Sequence, residues 1–305
     1  MAHNTQHSRL SIVRSVGTVI ALVLIIWLIS RQWAEITTAI VQIGWVRFML
    51  ALGLLLVSRF MISLRWHNLL RSADVDIPLK ESLRLTFVGL FASNFLPTTI
   101  GGDVVRLAGA VQMGFDGAVA TASLVMDRLV GMFGMALVLP PGLHKIFASG
   151  ARFGVSAFSG SLFGWTRKIY DQVLDLARRV WETIKLWLKR PKGLLSSLLF
   201  TCLHQLFLFL CIYFLLVSMM DVVPLWLVAG LWSLVYFVTL LPVSINGLGV
   251  QELSIAFAFS ELGGVSEHNS LTLALLVRTL FMVASLPGAF YIRDILPQVD
   301  KQRGL

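Results

Sequence analysis

The residues best suited to chemistry lie in the segment 94–106, between two long apolar runs. Pro97 ends a helix because its ring removes a backbone donor, and Gly101 with Gly102 lets the backbone approach a ligand closely. In a bilayer such a break survives only where protein or water surrounds it, because hydrocarbon cannot hydrogen-bond exposed backbone. A short helix that begins near Asp103 would direct free N–H groups and a positive dipole end into the bilayer, which favours an anion.

Five charged side chains, near this break or near a second break later in the chain, can bind a lipid headgroup. Arg106 and Arg128 each carry a planar guanidinium that can hold a phosphate by two parallel hydrogen bonds. Asp103, Asp127 and Glu252 can orient the arginines, bind a cationic headgroup or carry a proton. The candidate substrate-binding residues are Asn94, Gly101, Gly102, Asp103, Arg106, Asp127, Arg128, Glu252 and Arg278.

The same charges have a structural interpretation, and the sequence leaves both open. Asp103 can cap the short helix, which would satisfy the N–H groups otherwise offered to an anion. Asp103 with Arg106, and Asp127 with Arg128, can form ion pairs that hold helices together. Arg278 can likewise pair with an acidic side chain or a carbonyl oxygen instead of touching substrate.

Composition places the chain among integral membrane proteins with several spans. Of its 305 residues, 57% are hydrophobic and 13% are charged, and the mean hydropathy is +0.81. The 25 basic residues exceed the 16 acidic ones, but they cluster at the ends of apolar runs, where they indicate topology and not nucleic-acid binding. No metal-binding spacing or nucleotide-binding loop occurs, so we expect no metal, no cofactor and no ATP-driven mechanism within the chain.

The apolar runs predict an all-α, polytopic fold with about seven or eight transmembrane helices in one integral membrane domain, 1–305. Arginines before the first run place the N-terminus in the cytosol. Helical spacing of apolar and basic residues over 166–190 predicts an amphipathic helix on the cytosolic face. Whether 143–164 cross the membrane is left open. The predicted spans are 12–30, 45–64, 118–139, 194–220, 222–241 and 271–291.

Two parts of the chain, about 82–140 and 222–291, repeat one pattern. In each, a helix ends in Leu-Pro, a glycine-rich break follows, and a short charged helix precedes a span with a buried arginine. In the second copy, Arg278 can pair with Glu252. The two copies begin on opposite sides of the membrane. This predicts an inverted repeat with two broken or re-entrant helical hairpins, as in secondary transporters. For the first copy, a hairpin that enters and leaves by one face and a helix broken at mid-depth both fit. The helix-breaking residues are Pro97, Pro242, Gly247 and Gly249.

Four motifs together resemble the flippase-like membrane domain of lysylphosphatidylglycerol synthases over most of the chain, roughly 45–291. They are Asn94…Leu96-Pro97…Gly101-Gly102-Asp103-Val104-Val105-Arg106, Asp127-Arg128-Leu129, Arg65-Trp66…Leu69-Leu70 and Pro242…Gly247-Leu248-Gly249-Val250…Glu252. The resemblance implies movement of a lipid, or of a lipid with a polar headgroup, between leaflets along a path lined by the two breaks. The family's soluble aminoacyl-transfer domain is missing, so we expect no synthase activity, and the family's clear span is missing at 143–164.

The residues and the resemblance predict a lipid flippase or scramblase-like transporter rather than an enzyme. The alternative is a polytopic membrane transferase that acts on a lipid-linked substrate, for which Asp103 and Glu252 are the only candidate carboxylates. A structural or regulatory membrane partner is a third class. The expected partner is a membrane lipid with an anionic or phosphate-bearing headgroup, and a homodimer is left open. We expect the protein in the cell (inner) membrane of a bacterium or archaeon.

Overall fold

The computed structural model describes residues 36–95, 101–148, 191–240 and 249–295, and every regular element in these ranges is a helix. The helices are α1 (Trp45–Ser72), α2 (Leu79–Phe95), α3 (Gly101–Gln112), α4 (Gly117–Leu137), α5 (Pro140–Ala148), α6 (Pro191–Ser218), α7 (Leu225–Thr239), α8 (Val250–Phe257), α9 (Glu267–Ser285) and α10 (Pro287–Ile295). Residues 36–43 are helical as well, and Ala258–Leu262 continue α8 as one π-helical turn.

Four helical segments in the described residues are long and apolar enough to cross a bilayer: α1, α4, α6 and Glu267–Tyr291, which joins α9 to the start of α10. This confirms the prediction of an all-α membrane protein, whereas the total of seven or eight spans stays a prediction. The predicted first span 12–30, residues 149–164 and the predicted amphipathic helix 166–190 lie outside the described residues.

Side-chain caps fix where two of the spanning helices begin. Asp116 precedes α4, and its carboxylate accepts hydrogen bonds from the backbone N–H groups of Ala118 and Val119 at 2.8 and 2.9 Å. Ser266 precedes α9 and accepts from the Asn269 N–H at 3.3 Å. Each cap satisfies N–H groups that have no partner inside the helix.

Helix α1 pairs with α6 along its length, and the two run antiparallel. The polar contacts between them occur in reverse chain order, and they replace the water that hydrocarbon cannot supply. Helix α1 therefore continues beyond residue 64, where the sequence placed the end of the span, because the polar residues of its last turns contact protein. The contacts are Arg47 Nη1 to Ser218 O (3.3 Å), Cys211 Sγ to Ala51 O (3.4 Å), Ser58 Oγ to His204 Nδ1 (2.6 Å), and Asn68 Nδ2 to Gly193 O (2.7 Å).

Helices α2 and α3 form a helical hairpin, which is one of the two arrangements left open for the first break. Gly89 lies beside Arg106 and Ser93 lies beside Gly102, so the two helices run in opposite directions. A Cβ added at Gly89 would lie 2.7 Å from Arg106 Cγ and 2.9 Å from the Gly102 carbonyl oxygen. A Cβ at Gly102 would overlap the Gly89 carbonyl. The hairpin therefore depends on two glycines that face each other.

We expect Gly102→Ala to lower the free energy of unfolding by about 1–3 kcal/mol, because the added methyl group must push α2 and α3 apart. Gly53→Ala is the matched control. Gly53 lies inside α1 with nothing within 4 Å of an added Cβ, so the helix should gain up to about 1 kcal/mol. Chemical denaturation of both purified variants in detergent measures the difference. Equal stability of the two variants would contradict the close hairpin contact.

The largest buried apolar cluster lies between α1, α6, α7, α8 and α9, and apolar side chains that face outward cover much of the remaining surface. Large outward-facing residues suit contact with lipid tails in a spanning protein. Ile212, Leu215, Val228, Phe259 and Leu280 are at most 1% exposed and form part of the central cluster. This packing fixes the relative positions of the helices that carry the buried charges.

Candidate functional site

The first buried charge is Asp127 in the middle of α4, which is 3% exposed and bonded to two arginines from other helices. Arg65 of α1 donates from Nε to Asp127 Oδ1 at 2.7 Å, and Arg106 of α3 donates from Nη1 to Oδ2 at 3.3 Å. Arg65 also reaches Thr201 Oγ1 of α6 at 3.4 Å. The carboxylate thus joins three helices, and the low dielectric of the site makes each of these bonds stronger than its counterpart in water.

The second carboxylate, Asp103 in the first turn of α3, is shared by two arginines. Arg106 Nη1 lies 3.4 Å from Asp103 Oδ1, and Arg128 Nε of α4 bonds to Asp103 Oδ2. The Arg128 side chain is 46% exposed, whereas that of Arg106 is 8% exposed. We call Arg65, Arg106, Arg128, Asp103 and Asp127 the first charge cluster, which has one accessible arginine, Arg128, and two enclosed arginines, Arg65 and Arg106.

Arg106 is placed at the centre of this cluster by an aromatic ring and by a glycine. Its guanidinium carbon lies 4.2 Å from the centre of the Trp66 ring, and its aliphatic stem passes over Gly89. Trp66 is itself fixed, because its Nε1 donates to Ser123 Oγ at 3.1 Å. Two nitrogens of Arg106, Nε and Nη2, are buried and have no hydrogen-bond partner in the described part of the chain. Buried donors without a partner are rare, and a ligand can supply the missing acceptor.

The first charge cluster contains three guanidinium groups and two carboxylates. The two unpartnered nitrogens of Arg106 belong to a planar fork that matches two oxygens of a phosphate. The cluster is therefore suited to a ligand that carries a phosphate.

A second ionic contact joins α8 to α9. Arg278 Nη1 lies 3.4 Å from Glu252 Oε1, and Glu252 Oε2 accepts from the Gly249 N–H at 2.8 Å. We call Glu252 and Arg278 the second charge pair. Gly249 has a φ of +79°, a conformation that favours glycine, and it directly precedes α8. The Nε of Arg278 is also buried without a partner among the described residues.

The two ionic contacts occupy equivalent positions in the two parts of the chain. Asp103 is the third residue of α3 and pairs with Arg128, the twelfth residue of α4. Glu252 is the third residue of α8 and pairs with Arg278, the twelfth residue of α9. Both contacts tie the first turn of a short helix to the middle of the next spanning helix.

Comparison with protein families decides the affiliation of the chain. The family profile described as "Lysylphosphatidylglycerol synthase TM region" matches residues 14–288. The chain belongs to this family. Searches of curated proteins and of solved structures found no match. Family membership and the apolar helices make this an integral membrane protein linked to lipid handling.

Within this lysylphosphatidylglycerol synthase membrane region, the structure brings most of the predicted site residues into contact. Asp103, Arg106, Asp127 and Arg128 form one cluster, and Glu252 bonds to Arg278 as the second-copy pattern indicated. Gly101 and Gly102 are buried at the start of α3. Asn94 Nδ2 donates to Phe281 O at 3.1 Å and so connects α2 to α9. Pro97, Pro242 and Gly247 lie outside the described residues.

The two ionic contacts of Asp127 were not found from the sequence. Arg65 carries the closest contact to Asp127, but at the end of a predicted span it indicated only topology. The sequence leaves an ion pair between Asp127 and Arg128 open, whereas the structure pairs Asp127 with Arg65 and Arg106, and Arg128 with Asp103. The Arg65-Trp66 motif was the available signal, because Trp66 also contacts Arg106.

Proposed function

We propose that this protein moves phosphate-bearing lipids between the two leaflets of its membrane, with the first charge cluster as the headgroup site. The observation that carries the proposal is Arg106, which is 7% exposed and has two buried nitrogens without partners among the described residues. The lipid-handling family supports the same function.

The energetic reason for such a site is the cost of taking a phosphate through hydrocarbon. A phosphodiester carries one negative charge, and moving an unpaired charge to the bilayer centre costs about 3 kcal/mol on insertion scales and more in isolation. A preformed arginine fork replaces part of the lost hydration. Arg128, which is half exposed, first meets the headgroup in this mechanism, and the enclosed Arg106 receives it.

The equivalent positions of the two ionic contacts support an inverted repeat, in which each copy contributes one charged group to the path. Under this proposal the second charge pair receives the headgroup after the first charge cluster. The proposal includes seven or eight spans and a cytosolic N-terminus in a bacterial or archaeal cell membrane.

The transferase alternative needs a carboxylate that is free to act as a base or nucleophile. Asp103 contacts two arginines, and Glu252 contacts Arg278 together with the Gly249 N–H. Both carboxylates are thus occupied by contacts within the protein, which is a reason to prefer transport.

A headgroup panel in reconstituted vesicles tests the proposal. Acyl-chain-fluorescent phosphatidylglycerol, lysylphosphatidylglycerol and phosphatidylcholine share a phosphate but differ in net charge, and a fluorescent glucosylceramide has a polar headgroup without phosphate. We expect protein-dependent leaflet exchange of lipids from the phosphate-bearing group and no exchange of glucosylceramide. Exchange is measured by quenching the fluorescence of the outer leaflet, with and without an imposed proton gradient.

Two outcomes would contradict the proposal. Equal exchange of glucosylceramide and the phospholipids would show that phosphate is not recognised. Exchange of every lipid at the rate of protein-free vesicles, under both gradient conditions, would remove the transport function.

A further inference from the structure

Arg59 is a third charged position, and it lies at the centre of a spanning helix. It is the fifteenth of the 28 residues of α1, so the depth that we expect for it is near the middle of the bilayer. Leu55 and Ser63, one turn before and one turn after it on the same face, are 0% exposed. Arg59 itself is only partly buried. Arg59 therefore lies on the face of α1 that packs against other helices.

Among the described residues, the Arg59 guanidinium has an aromatic contact but no carboxylate partner. Its central carbon lies 4.3 Å from the centre of the Phe281 ring of α9. In the portion of the chain that the structure describes, no ion pair compensates this charge, whereas every arginine of the first charge cluster and of the second charge pair contacts a carboxylate. An uncompensated cation at mid-depth is costly and calls for an anion or water beside it.

The position of Arg59 links the two charged sites. Arg59 and Trp66 are seven residues apart, which places them on one face of α1, two turns or about 10 Å from each other along the axis. Arg106 stacks on Trp66, and Arg59 stacks on Phe281. Phe281 and Arg278 are three residues apart on one face of α9. A row of arginines therefore runs from the first charge cluster through Arg59 to the second charge pair.

We propose that Arg59 is a phosphate-binding residue half-way along the translocation path, which holds the headgroup as it passes between the first charge cluster and the second charge pair. This inference rests on the proposed function and adds a transfer site at mid-depth. The role of Arg59 is to stabilise the phosphate where hydration is lowest, so its removal slows passage more than it weakens initial binding.

A purely structural role for the Arg59 and Phe281 contact makes different predictions. A helix anchor would be needed for stability and would affect all lipids and both steps alike. A transfer site affects the rate of exchange of phosphate lipids and leaves equilibrium binding at the first charge cluster unchanged. Binding and exchange therefore have to be measured on the same variants.

The experiment compares Arg59→Gln, Arg59→Lys and the control Arg47→Gln with the wild type. Arg47 lies on the same helix, but it is exposed near the helix end and contacts Ser218 O. Fluorescent phosphatidylglycerol reports both quantities: its displacement by unlabelled lipid in detergent gives binding, and its exchange in vesicles gives the rate. We expect Arg59→Gln to slow exchange by about ten-fold or more, with binding unchanged, because the charge at the midplane is lost.

Arg59→Lys keeps the charge but loses the planar fork, so it should recover part of the rate. Arg47→Gln should exchange lipid like the wild type. Thermal unfolding of each variant in detergent confirms that it is folded. If Arg59→Gln does not fold, the exchange rate of Arg59→Lys decides the outcome.

Wild-type exchange in both Arg59 variants would overturn the role of Arg59 and leave the proposed function intact. Parallel loss of binding, of exchange and of thermal stability would assign Arg59 a structural role instead. A wild-type protein that exchanges no lipid would overturn the proposed function, and the role of Arg59 with it.

Discussion

Replacing Arg106 by methionine will reduce exchange of phosphate-bearing lipids to the rate of protein-free vesicles, with the protein still folded. The substitution removes the enclosed guanidinium of the first charge cluster, whose Nε and Nη2 have no hydrogen-bond partner among the described residues. It leaves Asp127 paired with Arg65 and Asp103 paired with Arg128, so neither carboxylate loses all its partners. The loss of about 3 kcal/mol of stabilisation at the phosphate corresponds to a decrease of about a hundred-fold in rate.

Three further variants show whether this loss is specific to the site. Arg71→Met, at the exposed end of α1, is the matched control and should exchange lipid normally. Arg106→Lys keeps the charge but not the fork, so its rate should lie between those of the wild type and Arg106→Met. Arg128→Ala should also slow exchange, because Arg128 is the accessible arginine of the cluster. Normal exchange in folded Arg106→Met and Arg128→Ala proteins would rule out a phosphate site here.

The largest loss of stability is expected for Asp127→Ala. The substitution leaves Arg65 without a carboxylate partner and removes one of the two acids beside Arg106, while both guanidinium groups stay buried. Breaking a buried ion pair in this way typically costs about 3–5 kcal/mol. Denaturation of the purified protein in detergent measures the change in the free energy of unfolding.

Asp116→Ala is the control for this prediction, because it removes an exposed carboxylate at the start of the same helix and costs about 1 kcal/mol as a lost cap. The double variant Arg65→Met with Asp127→Leu should recover part of the stability, since an apolar pair replaces both buried charges. If Asp127→Ala is no less stable than Asp116→Ala, the ionic contacts of the cluster do not hold these helices together.

The helices could be predicted from the sequence because the apolar runs and the breaking residues are local signals. The partners of Asp127 could not be predicted from the sequence. Arg128 is its neighbour in the chain, but adjacent residues on a helix point about 100° apart and do not face each other. The actual partners come from helices 62 and 21 residues away. One sequence contains no signal for which distant helix faces a given side chain.

Two other contacts differ in how far the sequence determines them. The pairing of Glu252 with Arg278 is one of the alternatives that the sequence leaves open for Arg278. The close approach of Gly89 to Gly102 was not predicted, because a glycine within an apolar helix has many causes. A hairpin and a broken helix share the same local sequence, and only the packing of α2 on α3 distinguishes them.

The long chain separation between α1 and α6 has a consequence for the order of assembly during synthesis. Asp127 is made 62 residues after Arg65, and His204 is made 146 residues after Ser58. At typical elongation rates these intervals are about 3–12 s and about 7–30 s. The ribosome therefore synthesises Asp127 before α6. Asp127 can neutralise Arg65 in the nascent chain well before α6, the antiparallel neighbour of α1, emerges.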